Sequence, residues 1–363
     1  MDRGFFQELL SIDSTSGKER TVAEWLAERL PGMFPAVNQP VMQVEEVGDG
    51  TLNLLLTWGD PRIVFCSHLD TVPPYLPPAF PEEVLPRADA DAQIKGRGSC
   101  DAKGQVFAIV EACKKLAEEG KSDFGMLLLA GEETGSWGAK AFAKTDFKAE
   151  YLVVGEPTDN CMVSASKGTK SFDLKFTGEP FHSGYPQYGV SAVDLFVAFV
   201  NALKAKDFDM DPVLGETTWN IGLLHSDNPQ NILSPELTCR LYFRTTFVSD
   251  EAVCQWMAEA PALLRDGRSQ PAMTSSVIPG LTGNLAVTAR GGDTPARYWT
   301  VEGLPSKSVA FGSDAPHLKN FAHKAICGPG SITVAHRDDE HVLVADLATA
   351  VEQYLVLYRS VME

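Results

Sequence analysis

Short apolar runs alternate with helical patterns over residues 20–154 of this chain. The runs lie at residues 51–57, 62–66, 124–130 and 151–154. Strands that are buried on both faces have this nearly continuous apolar character. Residues 20–30 and 106–116 instead place apolar side chains at helical spacing. The alternation predicts an α/β domain with a mostly parallel central sheet and flanking helices.

The pattern changes at about residue 167. Residues 171–177 alternate apolar and polar side chains, which is typical of a strand with one solvent-exposed face. The segments that follow are a helix at 190–203, strands at 217–224 and 236–247, a helix at 250–264 and a strand at 273–277. This β-α-β-β-α-β order predicts a small α+β domain.

The α/β character resumes at residues 307–311, and a last helix is predicted over residues 345–361. We therefore expect a catalytic domain made of residues 1–166 and 279–363. Residues 167–278 would form a second domain inserted into it. A chain of 363 residues is long enough for two such domains.

Charge and cysteine usage restrict the class of function. Asp and Glu number 48 and Lys and Arg number 31, which gives a formal net charge of −17. This charge repels nucleic acid and anionic membranes. The first residues, MDRGFFQELL, lack the apolar core of a signal peptide, and no apolar run approaches the ~20 residues of a membrane span. The seven Cys residues form no CxxC pair, so we expect reduced thiols and a cytoplasmic enzyme with a small-molecule substrate.

Polar side chains follow the predicted strands at the point where each strand ends. They are His68, Asp70, Glu132, Glu133 and Glu156. Because the carboxyl ends of parallel strands face one crevice, these side chains are candidates for one site. His68 is a candidate metal ligand whose ring Asp70 would orient. One Glu of the adjacent pair can bind metal while the other acts as a general base. Each residue is also compatible with a surface turn or a cap.

Two further candidates lie elsewhere in the chain. Asp101 lies in the glycine-rich segment GRGSCDAKG, where a carboxylate can bridge two cations or cap a helix. His336 precedes the last helix, and the acids that follow it, in AHRDDE, are expected to orient its ring; the alternative is a surface histidine. Imidazole and carboxylate ligands without thiolate favour zinc, with cobalt or manganese as substitutes.

In sequence order, the segments SHLDTV, GRGSCDAKG, GEETGS, GEPT, FHSG and AHRDDE resemble a known motif series. It is that of the family containing acetylornithine deacetylase, succinyl-diaminopimelate desuccinylase, aminoacylase and glutamate carboxypeptidase. The resemblance spans about residues 60–345 and implies two Zn²⁺ ions, with Co²⁺ as a substitute. It implies the metal ligands His68, Asp101, Glu133, Glu156 and His336.

The same resemblance implies a role for each of these residues. His68 and Glu156 would bind one metal, and Glu133 and His336 the other. Asp101 would bridge the two ions. Glu132 would be the general base, and Asp70 would orient His68.

For the inserted domain, the resemblance implies a lid that forms a homodimer. His182, in FHSG, would stabilise the oxyanion in the partner subunit's site; without the resemblance it would be an ordinary loop histidine. Gly222, Asn231 and Arg244 resemble substrate-contacting positions, and Arg244 is suited to a bidentate pair with a carboxylate. Ser313, in the catalytic domain, belongs to a loop that resembles the family's pocket lining.

The length and the GPGS…AHRDDE ending resemble acetylornithine or acetylcitrulline deacetylases most. We therefore expect removal of an acetyl or succinyl group from an amino acid, in arginine biosynthesis. The alternatives are a succinyl-diaminopimelate desuccinylase, a metallo-dipeptidase or carboxypeptidase, and a non-catalytic metal-binding protein on the same fold. The last alternative predicts a lost base or ligand, whereas Glu132 and all five ligand candidates are present.

Overall fold

The computed structural model describes residues 1–81, 91–265 and 283–362. The α-helices in these ranges are α1 (Arg3–Ser11), α2 (Arg20–Arg29), α3 (Lys103–Glu118), α4 (Trp137–Phe142), α5 (Ala192–Ala205), α6 (Asp250–Arg265) and α7 (Val344–Met362). None of the described helices combines the length and apolar composition that a bilayer-spanning segment requires.

The strands in the same ranges are β1 (Val41–Val47), β2 (Thr51–Trp58), β3 (Ile63–His68), β4 (Gln93–Lys95), β5 (Phe124–Leu129), β6 (Ala149–Val154), β7 (Met162–Ser166), β8 (Gly168–Thr177), β9 (Thr218–His225), β10 (Glu236–Thr245), β11 (Asn284–Gly291), β12 (Ala296–Arg297), β13 (Ser306–Val309), β14 (Phe321–Ile326) and β15 (His341–Leu343).

The chain divides into two compact units. The large unit comprises Met1–Ser164, Tyr298–Lys307 and Ser313–Glu363, and the small unit comprises Ala165–Arg297 and Ser308–Gly312.

The large unit is built on a six-stranded sheet with the order β1-β2-β5-β3-β6-β14. Strands β5, β3, β6 and β14 run parallel to one another. Strand β2 pairs antiparallel with β5, and β1, at the edge of the sheet, pairs antiparallel with β2. The prediction of a mostly parallel α/β sheet is thus confirmed. The two strands predicted at residues 51–57 and 62–66, β2 and β3, are not neighbours in the sheet, because β5 lies between them.

Burial on both faces explains why the central strands have continuous apolar sequences. Every residue of β3 and of β5 is buried. Helix α3 is buried along most of its length and packs against β3, β5 and α7. His68 is the last residue of β3, so the first predicted ligand lies at the carboxyl end of a fully buried strand.

The small unit contains an antiparallel sheet with the order β11-β8-β10-β9, against which α5 and α6 pack. Its core includes the buried rings of Phe176, Phe199 and Phe243. The chain order is β-α-β-β-α-β, but the last strand is β11. The strand predicted at residues 273–277 and the domain boundary predicted at residue 279 lie outside the described residues.

The assignment of residues 284–297 to the catalytic domain was wrong. Strand β11 pairs antiparallel with β8 from Asn284, opposite Thr177, to Gly291, opposite Ser171. Its backbone hydrogen bonds therefore complete the sheet of the small unit. This segment alone carries no signal for the strand it joins, because such pairing is a long-range contact.

Candidate metal centre

His68 is fixed by contacts at both ring nitrogens. The residue is only 1% exposed, so the surface-histidine alternative is wrong. Nδ1 donates to the backbone oxygen of Asp70 at 2.9 Å, and Nε2 lies 3.0 Å from Oδ1 of Asp101. A neutral ring that donates from Nδ1 keeps a lone pair on Nε2, which is the form that binds metal. Burial lowers the pKa of His68, but the hydrogen bonds with Asp101 and Asp70 raise it by more. The pKa of His68 therefore lies well above its usual value.

Asp101 faces a different histidine with each of its carboxylate oxygens. Oδ1 contacts His68, and Oδ2 lies 3.2 Å from Nε2 of His336. The N-cap of α3 is Ala102, so the helix-cap alternative for Asp101 does not hold. Burial raises the pKa of the Asp101 carboxyl, yet the hydrogen bonds with His336 and His68 bring it below its usual value. A carboxylate that stays ionised between two imidazoles is arranged to bridge two cations.

The carboxylate of Asp70 fixes the turn that carries the two glutamates. Its Oδ1 accepts from the backbone N–H of Glu132 at 2.9 Å, and its Oδ2 accepts from that of Glu133 at 3.2 Å. The hydroxyl of Ser16 donates to Oδ2 at 2.8 Å. The Asp70 carboxylate is 3.4 Å from Nδ1 of His68, farther than its own backbone oxygen. The contacts of the carboxylate with Ser16 and with the Glu132–Glu133 turn are therefore shorter than its contact with the His68 ring, which the backbone oxygen of Asp70 holds.

Glu133 and His336 meet on the far side of Asp101. Oε1 of Glu133 lies 2.9 Å from Nε2 of His336. The hydrogen bonds with Asp101 and Glu133 raise the pKa of His336 to about 10. Among the described residues, ligand atoms of His68, Asp101 and Glu133 all lie within 4.8 Å of one another.

Glu156 adds a further buried carboxylate to this group of residues. The residue is 4% exposed, and its Oε1 has no partner among the described residues. Burial, followed by the charges of Asp101 and Glu132, raises its pKa well above the usual range. A buried carboxylate without a donor is costly unless a cation binds it.

The distances within this donor set fit a metal site. Ligand atoms held about 2.0–2.1 Å from one tetrahedral zinc ion lie about 3.3 Å from each other. The three nitrogen-to-oxygen distances that join His68, Asp101, Glu133 and His336 are 3.0, 3.2 and 2.9 Å. Together with the orphaned oxygen of Glu156, this donor set accommodates divalent cations.

Glu132 lies in the same negative environment. Burial raises the pKa of its carboxyl well above the usual value, and the charges of Asp314 and Glu133 raise it further, against the opposing effect of His68. A carboxylate whose pKa is raised in this way is a stronger base than an ordinary glutamate, which suits Glu132 to proton transfer.

Asp314 is a residue of this region that sequence reasoning missed. It is 1% exposed, its Oδ1 has no partner among the described residues, and burial raises its pKa to about 6. The neighbouring Ser313, chosen from the same loop, accepts from the backbone N–H of Ala315 at 3.3 Å. The acidic residue inside that loop could have indicated Asp314, because a buried carboxyl changes the electrostatic field of a site more than a hydrogen-bonded hydroxyl does.

The acids after His336 do not act as expected. Glu340 accepts from the backbone N–H of Asp101 at 3.1 Å, so it belongs to the Asp101 loop. Asp339 is exposed and pairs with Arg337 at 2.9 Å. The ring of His336 instead meets Asp101 and Glu133.

Within the small unit, His182 and Asn231 are neighbours. Nδ1 of His182 accepts from the backbone N–H of Gly184 at 3.0 Å, and the backbone oxygen of Asn231 accepts from Ser183 at 2.9 Å. A neutral His182 ring that accepts at Nδ1 carries its proton on Nε2, which makes Nε2 a hydrogen-bond donor. The side chain is exposed.

The other two candidates of the small unit lie on its sheet. The guanidinium of Arg244, on β10, lies over the ring of Tyr242 at 5.2 Å. Gly222, on β9, is opposite Arg240, whereas Arg244 is opposite Thr218.

Comparison with known proteins decides the family. Residues 64–360 match the model of peptidase family M20/M25/M40. The chain belongs to this family. A probable carboxypeptidase from Aspergillus terreus is 31% identical over 99% of this chain and 86% of its own length. An M20 domain-containing protein from Schizosaccharomyces pombe is 30% identical over 97% of this chain and 83% of its own length. The chain is therefore a hydrolase of the M20 peptidase family.

Solved structures share the fold at low identity. A tripeptidase from Staphylococcus aureus superposes with a TM-score of 0.77 at 20% identity, over 97% of this chain and 95% of that one. An M20 family metallo-carboxypeptidase from Sulfolobus solfataricus gives a TM-score of 0.67 at 15% identity, over 97% of both chains. This likeness supports the M20 fold without indicating a substrate.

Proposed function

We propose that this M20 family member is a metal-dependent carboxypeptidase-type hydrolase, which removes the C-terminal residue from a short peptide. The observation that carries the proposal is Asp101, whose two oxygens face His68 and His336 beside Glu133 and the orphaned oxygen of Glu156. The relative from Aspergillus terreus bears the name of a probable carboxypeptidase. This supports the carboxypeptidase alternative better than acetylornithine deacetylase and a place in arginine biosynthesis.

The donor set is suited to two Zn²⁺ ions, with Co²⁺ as a substitute, because it combines imidazole and carboxylate without thiolate. His68 and Glu156 would hold one ion, Glu133 and His336 the other, and Asp101 both. When bound, such ions polarise the scissile carbonyl and lower the pKa of a water molecule.

Glu132 is the proposed general base. Its backbone is held by the Asp70 carboxylate, and burial raises its pKa toward the range in which proton transfer is efficient. Glu132 accepts the proton of the attacking water as the carbon–oxygen bond forms. It then delivers this proton to the leaving nitrogen as the amide bond breaks, which releases a carboxylic acid and an amine.

The small unit would supply the remaining groups. His182 has a donor at Nε2 in its neutral form, as stabilisation of an oxyanion requires. Arg244 carries the planar guanidinium that pairs with a substrate carboxylate. Asn231, beside the His182 loop, is a further substrate-contacting candidate. We also propose that the protein forms a homodimer and acts in the cytoplasm.

A substrate panel on the zinc-loaded and cobalt-loaded protein tests this function. The panel contains N-blocked dipeptides, free dipeptides, N-acetylornithine, N-acetylcitrulline and N-succinyl-diaminopimelate. We expect the highest kcat/KM for peptides with a free C-terminal carboxylate, a large loss when that carboxylate is amidated, and loss of turnover after chelation.

Three results would contradict the proposal. Turnover confined to N-acetylornithine or N-acetylcitrulline would restore the deacetylase interpretation. Release of residues from the amino end of a peptide would indicate an aminopeptidase. A protein that binds metal tightly but hydrolyses nothing in the panel would favour the non-catalytic alternative.

A further inference from the structure

The buried carboxylate of Glu340 accepts hydrogen bonds from three backbone N–H groups of one loop. The residue is 1% exposed. Its Oε1 accepts from the backbone N–H groups of Gly98 at 2.9 Å, Cys100 at 3.1 Å and Asp101 at 3.1 Å. Buried N–H groups require partners, and here one oxygen serves three of them. The shape of the loop that carries Asp101 therefore depends on a side chain more than 230 residues away.

Arg97 holds the second oxygen of this carboxylate. Its Nη1 donates to Oε2 of Glu340, and Arg97 is itself 1% exposed. Nη1 also lies 3.2 Å from the backbone oxygen of Arg337, the residue after His336. Nε of Arg97 donates to the backbone oxygen of Pro74 at 3.1 Å. The guanidinium thus contacts the loop of His336 while Glu340 contacts the loop of Asp101.

The strand pairing places these two residues together. Strand β4 ends one residue before Gly96, and β15 begins one residue after Glu340. The two strands pair antiparallel, with Lys95 opposite His341, and the N–H of Gly96 donates to the backbone oxygen of Glu340 at 3.1 Å. The start of the Asp101 loop and the end of the His336 loop are therefore joined by backbone hydrogen bonds as well.

The buried ion pair of Arg97 and Glu340 is better explained by the position that it gives to the two loops than by a gain in the stability of the protein. Well-packed apolar residues often replace a buried ion pair without loss of stability. Apolar residues here would leave the three N–H groups of the Asp101 loop without an acceptor. The Glu340 carboxylate accepts from these N–H groups in the place of water. It thereby also determines the position of the Asp101 side chain.

We propose that Glu340, held by Arg97, is a positioning residue that fixes the Asp101 loop against the His336 loop and thereby sets the affinity of the site for divalent metal. The inference rests on the proposed function, because it requires that the site binds metal. Within the described part of the chain, the Glu340 carboxylate accepts from the backbone of Asp101 and from no candidate metal-ligand side chain. Its effect is therefore indirect.

The test compares Glu340→Gln and Arg97→Lys with the matched control Asp339→Asn. The control removes one carboxylate charge in the same segment, from an exposed ion pair. Zn²⁺ affinity of each full-length protein is measured by competition with a chromophoric chelator, and urea unfolding of the metal-free proteins is followed by circular dichroism. We expect Glu340→Gln and Arg97→Lys to weaken zinc binding about 10–100-fold, as residues that orient metal ligands do. Asp339→Asn should stay within about twofold of wild type.

Zinc affinity equal to wild type in both variants would overturn the inference, whether or not the unfolding midpoint falls, because the pair would then be only structural. If Glu340→Gln does not fold, Arg97→Lys is judged by the same criterion. Failure of both variants to fold would also overturn it, since the pair would then be required for folding itself. A wild-type protein that binds no zinc would instead refute the proposed function.

Discussion

Replacing Asp70 with Asn tests the part of the site that organises both glutamates. The substitution keeps the size of the side chain but removes its charge and turns one acceptor oxygen into a donor. In the native protein, Oδ1 receives the N–H of Glu132 at 2.9 Å, and Oδ2 receives the N–H of Glu133 at 3.2 Å and the hydroxyl of Ser16 at 2.8 Å.

The hydroxyl of Ser16 can rotate to accept from the new amide group, but a backbone N–H cannot. We therefore expect the Asn oxygen to keep the shorter contact with Glu132, and the amide nitrogen to face the N–H of Glu133. One hydrogen bond to a charged acceptor is lost, and two donors are brought together. Hydrogen bonds to charged groups contribute about 1.5–3 kcal/mol, which corresponds to about 10–150-fold in an equilibrium constant. Because Glu133 is a metal-ligand candidate, this loss should appear in metal affinity.

The assay measures zinc affinity by chelator competition, together with kcat/KM on the best substrate of the panel. Ser16→Ala is the matched control, because it removes one donor to Asp70 and leaves both backbone N–H bonds intact. We expect Asp70→Asn to lower zinc affinity at least about tenfold, and Ser16→Ala to change it by no more than a few-fold. Zinc affinity and kcat/KM within about twofold of wild type in Asp70→Asn would refute the reasoning from these contacts.

Three other predictions concern the same chemistry. Glu132→Gln should retain zinc and lose about 10²–10⁴-fold in kcat, as loss of a general base does; loss of zinc, measured by metal analysis, would make Glu132 a ligand instead. Because the pKa of His336 is raised to about 10, its ring is protonated at neutral pH, and zinc must displace that proton. Zinc affinity should therefore rise about tenfold per pH unit for each proton released. Calorimetry in buffers of different ionisation enthalpy counts the protons released, and an affinity that does not change with pH would contradict the prediction. Mixing inactive His182→Ala and Glu132→Gln proteins should restore part of the activity if His182 acts on the partner subunit's site; no recovery, with subunit exchange verified, would count against that arrangement.

The α/β class and most of the candidate ligands could be predicted from the sequence. Buried strands have continuous apolar sequences whatever their neighbours, so the ends of β3, β5 and β6 were visible as the ends of such runs. His68, which ends β3, and Glu133 and Glu156, which follow β5 and β6, stood out for that reason. The order of the motif segments then indicated a family of metallohydrolases that includes glutamate carboxypeptidase, and the match over residues 64–360 places the chain in the M20 family.

Contacts between segments that are far apart in sequence could not be predicted in this way. The pairing of β11 with β8, and the position of β5 between β2 and β3, depend on long-range backbone contacts that no local pattern specifies. The same is true of side chains. Nothing near Glu340 in the sequence indicates that its carboxylate receives the N–H groups around Asp101 instead of orienting His336. Hydrophobic periodicity reports whether a residue is buried, whereas the partner of a buried polar group is chosen by the folded chain, where segments far apart in sequence lie within hydrogen-bond distance.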